Sequence, residues 1–473
     1  MEFGPQVPDL DVLIVGAGLS GLTSGIKILS KEHALNLRII EESSVPGGQI
    51  AMQGVRFVNN EQKELITFMD QLKVPLEQRQ LYPDVSLKRC WDIDRGLIGA
   101  LAKFELYRYI EMLEMRVNKF SSTKFRSFKR VQNMERHICS NLFFSISRQF
   151  MYNIVELIGG RAASNINYDE FMCICNSCGG LKTLIDIFFV VPPYLLDLPC
   201  ERVMDVLLKR LAYTEIHYNV RATRVQHFKN YVSVRDSMGT EHVAQAVILA
   251  IPWNKVLQLE FDPPLPKQFV TKNRQKVKSS RQITQFMVFY NKSYWYYQGF
   301  SGHFMNSLPL VIGFELRPTI YCGYMLHTPD ELSKVRDTVL ELLAEKFGKE
   351  MLTPKHYEQK TYDLNEPMDR PLIKPWHRVI WSSSSAVIYN RNLMGGAVES
   401  GIRAAINALF VVRPQVVGWR DLLDVQEKNI LTGDESGYTA ALLGRLNIYN
   451  VTFYSIFIVG IIYFLNLGYS RTN

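Results

Sequence analysis

The sequence predicts an α/β fold: a Rossmann-like dinucleotide-binding domain, an α+β second domain, and a C-terminal transmembrane helix. Three observations carry that prediction. The chain opens on a strand, a glycine-rich turn, a helix and a second strand. Its middle alternates long helical stretches with extended ones. Residues 446–470 then run without a charged side chain.

Residues 11–16 (Asp-Val-Leu-Ile-Val-Gly) are a short apolar run ending in glycine, as expected of a buried parallel strand. Residues 19–30 place Leu19, Leu22, Ile26 and Leu29 at helical spacing. Residues 35–40 form a second strand, which completes a βαβ unit. Helix is expected over 61–73, over most of 95–190 and over 199–213. Segments 214–236, 242–250 and 284–291 alternate like strands. An amphipathic helix is expected over 330–347, a strand near 377–381 and a last folded helix over about 394–410.

The run 446–470 holds 25 uncharged residues between Arg445 and Arg471. A bilayer core needs about 20 helical residues, so this segment suffices to span one. Tyr449, Tyr463, Phe464 and Tyr469 stand near its two ends, where membrane interfaces favour aromatic rings. The reading is a tail anchor, with the folded mass on the cytosolic side.

Bulk properties narrow the class. With 47% hydrophobic and 21% charged residues the chain is an ordinary globular one, not a disordered one. The net charge of +8 suits a neighbour of anionic membranes, and no nucleic-acid motif accompanies it. The first residues lack the basic and apolar regions of a secretory signal. Seven cysteines without framework spacing point to reduced thiols. Cys173, Cys175 and Cys178 lie close together, but no second ligand pair at zinc spacing follows, so no metal is expected. Residues 116–130 carry six basic side chains and no acid, which suits a solvated helical face or contact with anionic headgroups.

Gly16-Ala-Gly18-Leu-Ser-Gly21 falls between the first strand and helix, which is the context a dinucleotide fingerprint requires. Gly16 permits the tight turn, Gly18 lets backbone approach a pyrophosphate, and Gly21 lets helix and strand close up. Glu41, 20 residues after Gly21, ends the second strand and is placed to accept ribose hydroxyls.

Gly47-Gly48 follows at short range, and the opening from Asp11 to Gly48 resembles that of flavin-dependent monoamine oxidases. Cys178-Gly179-Gly180, residues 246–252 (AVILAIP), 261–266 (FDPPLP), Val288-Phe289-Tyr290 with Tyr294-Trp295, and 394–405 (MGGAVESGIRAA) resemble further segments of that family in the same order. The resemblance implies an FAD-binding domain built from 1–75, 196–265 and 366–425, and a substrate domain from 76–195 and 266–365. A linker, 426–445, then leads to the anchor. It implies oxidative deamination of a small-molecule amine by O2, giving aldehyde, ammonia and H2O2. It assigns Gly16, Gly18, Ser20, Gly21, Glu41, Gly47, Gly48, Val220, Ser385 and Met394 to FAD. It also points to the mitochondrial outer membrane, facing the cytosol, and allows a homodimer.

The chain departs from the family's pattern at the flavin. Phe57-Val58-Asn59-Asn60 passes straight into a helix where the family has a glycine-rich loop. Pro192 to Asp197 replaces a Gly-Gly-x-Gly-like segment. Gln285 stands at the family's lysine, Ser385 at a glutamate and Leu393 at one wall of an aromatic cage. No cysteine stands between Asp363 and Pro375, the flavin-linking segment, so bound FAD is expected to be non-covalent. Oxidation of ordinary monoamines is therefore expected to be absent or severely reduced. The alternative is a catalytically inactive membrane protein that acts as a binding partner or scaffold.

Overall fold

The computed structural model describes residues 8–50, 55–78, 88–91, 96–117, 132–189, 195–266, 269, 281–364 and 374–421. The uncharged run 446–470, most of the basic run 116–130 and the segment 365–373 lie outside them.

Leu10–Val15 sits near the middle of an eight-stranded sheet, flanked by parallel strands Glu241–Leu249 and Leu37–Ile40. Glu215–His217 continues the sheet beyond Leu37–Ile40. On the other side Glu241–Leu249 divides its far edge. Its first half pairs antiparallel with Val232–Asp236, and its second half pairs parallel with Val379–Trp381. Ala222–His227 and Glu260–Asp262 finish that edge. Val12, Leu13 and Ile14 are wholly buried, as in a sheet covered on both faces.

One cover is a pair of helices, Leu19–Lys31 and Met394–Val412. A Cβ on Gly401 would stand 2.5 Å from the Ser20 carbonyl oxygen, so only glycine allows this approach. Met394–Val412 is long and apolar enough to cross a membrane, but 72% of its apolar window is buried within the fold. It is a core helix.

The second sheet has six strands: His356–Asp363, Gln282–Phe289, Ile320–His327, Leu310–Arg317, Phe300–Ser307 and Lys88–Trp91. Phe286, Val288, Tyr321 and Met325 bury one face with Val335, Val339 and Leu343 of the helix Val335–Phe347. Met305, Ile312, Tyr324 and Leu326 on the other face join a core built from helices Gly96–Val117, Met134–Asn141, Ser145–Gly159, Tyr168–Ser177 and Leu181–Phe188. A small third sheet, Val55–Asn59 with Leu195–Pro199 and Glu77–Gln78, lies between these bodies. Its Phe57 and Leu195 pack with Met287 and Phe314 of the second sheet.

Three of the four central hairpin strands, 300–307, 310–317 and 320–327, have no counterpart among the sequence expectations. Both of their faces are covered, so the polar–apolar alternation that marks a half-exposed strand is lost. The helix expected over 330–347 is a 3-10 turn, Pro329–Lys334, followed by the α-helix Val335–Phe347.

Within the helical core, His137 accepts or shares a proton with the Tyr109 hydroxyl at 2.6 Å. Burial, helped by Arg116, lowers its pKa to about 4. The neutral ring is thus the folded form, and protonation favours the unfolded chain. Its stabilising contribution is complete above the ordinary value of 6.5, falls as pH drops through 6.5, and stops falling below about 4. In urea titrations at pH 7 and pH 4.5, His137→Gln should lose less stability between the two pH values than the parent does. An equal loss would contradict this.

Candidate functional site

The glycine turn lies at the carboxyl ends of the central strands, where open α/β sheets bind ligands. Gly16 has φ +104°, and a Cβ there would come within 2.6 Å of the Ala250 carbonyl oxygen. Gly21 would put a Cβ 2.0 Å from the Gly16 carbonyl oxygen. Both glycines are demanded by the protein itself.

Gly18 is different. It is the N-cap of Leu19–Lys31, with φ −74° and ψ 177°, a conformation open to any residue. A Cβ there would meet nothing within 4 Å. The helix has no side-chain cap and no acid in its first turn. Ser, Asp or Asn at this position would stabilise the helix by about a few tenths of a kcal/mol over glycine. Glycine leaves the backbone N–H groups and the positive helix end open toward empty space, which is what a pyrophosphate requires.

The loop after the second strand closes the cradle. Gly47 donates its N–H to Ala17 O at 2.8 Å and bridges to Gly18. A Cβ on Gly48 would lie 3.5 Å from Gly18 Cα. The Glu41 carboxylate accepts Ala17 N–H at 2.6 Å and Ser43 N–H at 2.9 Å. Each of its oxygens keeps further lone-pair capacity for ribose hydroxyls. Val220 donates its N–H to Glu41 O at 2.8 Å, so it fixes the backbone beneath the carboxylate.

The other assigned positions gather around this cradle with varied roles. Ser20 turns its hydroxyl to Ser382 O at 3.2 Å and ties the glycine helix to the end of Val379–Trp381. Ser385 is buried in a short 3-10 turn, its hydroxyl 2.9 Å from that of Ser383. Met394 opens the helix Met394–Val412, and Leu393 is its N-cap. Leu393 packs against the core that also contains Tyr324 of the second sheet. Gln285 lies on the strand Gln282–Phe289, opposite Tyr324 and Lys360.

Three residues were not expected from sequence. Gln62 is buried and accepts the Gly395 N–H at 2.8 Å, docking the start of the helix Lys63–Gln71 on the start of Met394–Val412. Ser382 Oγ and Asn59 Oδ1 are buried polar atoms without a hydrogen-bond partner among the described residues. Such atoms are costly unless a ligand or water satisfies them.

Cys173, Cys175 and Cys178 lie on and at the end of the helix Tyr168–Ser177, all buried. Burial pushes the Cys173 and Cys178 thiols up to about 11 and the Cys175 thiol well above its ordinary value. They are poor nucleophiles and poor metal ligands in that state. Among the described residues no group of three or more His, Cys, Asp or Glu side chains is arranged to hold a metal.

Residues 6–88 match the Thi4 family. No curated protein matches the chain. Cyclohexylamine oxidase from Brevibacterium oxydans superposes with a TM-score of 0.69 at 14% identity, covering 85% of this chain and 99% of its own. Putrescine oxidase bound to putrescine superposes with a TM-score of 0.67 at 18% identity, covering 86% of this chain and 100% of its own. A double mutant from a redesign of that oxidase's cofactor binding gives 0.67 at 18%, covering 85% of this chain and 99% of its own. The chain therefore has the mixed α/β fold of these amine oxidases.

Proposed function

We propose that this chain is an FAD-dependent oxidoreductase of the amine oxidase type, with amine oxidation slowed by the residues at its flavin end. The observation that carries this reading is Gly18, an uncapped helix start kept free of side chain although the fold would accept one. Ser382, with its unsatisfied buried hydroxyl and its carbonyl held by Ser20 of the glycine helix, fits a polar ligand beside the same turn. FAD, when bound, supplies the acceptor for an amine's hydride and passes the electrons to oxygen.

The chain's own residues hold and orient. The N–H groups around Gly18 bind the pyrophosphate, and Glu41 holds the ribose. Leu393 and the apolar face of the second sheet exclude water from the substrate. Gln285 can hold a water by hydrogen bonding but has no charge and no titratable proton. Losing such a partner costs about 10²–10³-fold in rate. FAD-loaded protein mixed anaerobically with primary, secondary and polyamine substrates should bleach slowly, with H2O2 appearing on admission of air. Rapid bleaching would contradict the slowed chemistry. No bleaching by any amine would favour the second reading, an inactive membrane-bound binding or scaffold protein, which Gln285, Ser385 and Leu393 support.

The proposal includes a tail anchor at 446–470, in the mitochondrial outer membrane with the folded part facing the cytosol. Its support is the uncharged run between two arginines. Alkaline carbonate should leave the full chain in the membrane pellet and release a chain ending before Leu446. Release of the full chain would contradict the anchor.

A further inference from the structure

Gln282–Phe289 pairs with Ile320–His327 on one side and His356–Asp363 on the other, so Gln285 is directly opposite both Tyr324 and Lys360. Directly opposed residues on neighbouring antiparallel strands share a face. Gln285, Tyr324 and Lys360 therefore stand on one face, with Ile283, Leu326 and Tyr362 beside them. Of the residues these three strands place on that face, Lys360 is the one lysine or arginine.

This face is turned to the cradle. Tyr362, two residues beyond Lys360 and on the same side, donates its hydroxyl to Gln49 O at 3.4 Å. Gln49 follows Gly47-Gly48, and Gly47 bridges to Gly18. The Lys360 ammonium lies 5.5 Å from the centre of the Tyr362 ring. Leu393, at the start of Met394–Val412, packs against the same core as Ile283 and Tyr324. The Tyr362 hydroxyl thus ties this sheet face to the glycine loop, and Lys360 is the cation this face places beside that contact.

We propose that Lys360 is the charge that tunes the cofactor in this site, in place of any cation at position 285. The inference rests on the FAD reading above. Hydride transfer from an amine carbon would leave an iminium and would add two electrons and one proton to a neutral oxidised ring, a net gain of one negative charge. Lys360 makes and breaks no covalent bond. A fixed cation on this face favours the reduced ring over the oxidised one, which is the lever a protein has on flavin electronics.

The test is the midpoint potential of the bound flavin in the full-length holoprotein, measured by dye-linked photoreduction. Lys360→Met should lower the preference for reduced over oxidised flavin by at least about tenfold, or about 30 mV for a two-electron couple. Lys360→Arg should keep the parent potential. The exchange Lys360→Met with Gln285→Lys should recover it, because the charge moves by one strand only. If the methionine variant does not fold, Lys360→Gln carries the same expectation. A flavin that binds with unchanged potential in the neutral variants would overturn the role of Lys360 alone. Parent protein that binds no FAD would overturn the cofactor reading and this inference with it.

Discussion

Gly18→Asp should abolish FAD binding while leaving the apoprotein as stable as the parent or more so. The two effects have opposite signs because they come from different neighbours. On the protein side Gly18 is an N-cap with extended backbone, and a Cβ there has no heavy atom within 4 Å. An aspartate fits, caps the first turn for about a few tenths of a kcal/mol over glycine, and complements the helix dipole for about 0.3–1 kcal/mol. On the ligand side the same carboxylate occupies the pyrophosphate's place and adds like charge to it. Gly21→Ala is the control. Its Cβ would meet the Gly16 carbonyl oxygen at 2.0 Å, so that variant should lose stability as well as binding. Thermal melts of the apoproteins and equilibrium dialysis with FAD separate the cases. Undiminished FAD binding by Gly18→Asp would show that the turn is not the phosphate cradle.

Glu399→Ala should cost about 3–5 kcal/mol of stability. Glu399 and Arg403 form an ion pair at 3.1 Å, with side chains only 7% and 5% exposed. Burial pulls the Arg403 pKa down and Glu399 opposes that shift, so the carboxylate is what keeps the guanidinium tolerable. With Glu399 gone, a buried cation retains, among the described residues, only the long contact to Ala386 O at 3.4 Å. The damage falls on Met394–Val412, the helix that packs against Leu19–Lys31 and presents Met394 to the site. Replacing both partners with leucine should recover much of the loss, since apolar pairs of similar volume often equal buried ion pairs. Urea denaturation of the two variants checks this. A single variant as stable as its parent would contradict it.

The geometry of the glycine turn was legible in the sequence because its requirements are local. Gly16, Gly18 and Gly21 sit within one turn, and Glu41 lies one helix away, so spacing alone placed them. The core strand 11–16 and the late helix were legible for a similar reason, an uninterrupted apolar pattern. What was not legible depends on long-range register. Lys360 belongs to an edge strand, His356–Asp363, whose polar residues fall on both faces and give no period of two. Only its pairing with Gln282–Phe289 brings Lys360 beside Gln285. Gln62 reaches Gly395 across 333 positions of chain, which no local pattern announces. Pro309 and Pro318, between the strands 300–307, 310–317 and 320–327, were the available turn signals for the missed hairpins.

The most direct test of the central claim is the visible absorption spectrum of the full-length protein, purified in mild detergent with FAD added and excess removed. A flavin spectrum at one FAD per chain is expected, with all the flavin passing into the supernatant on acid precipitation because no covalent link holds it. A colourless protein after FAD loading would refute FAD binding by this chain.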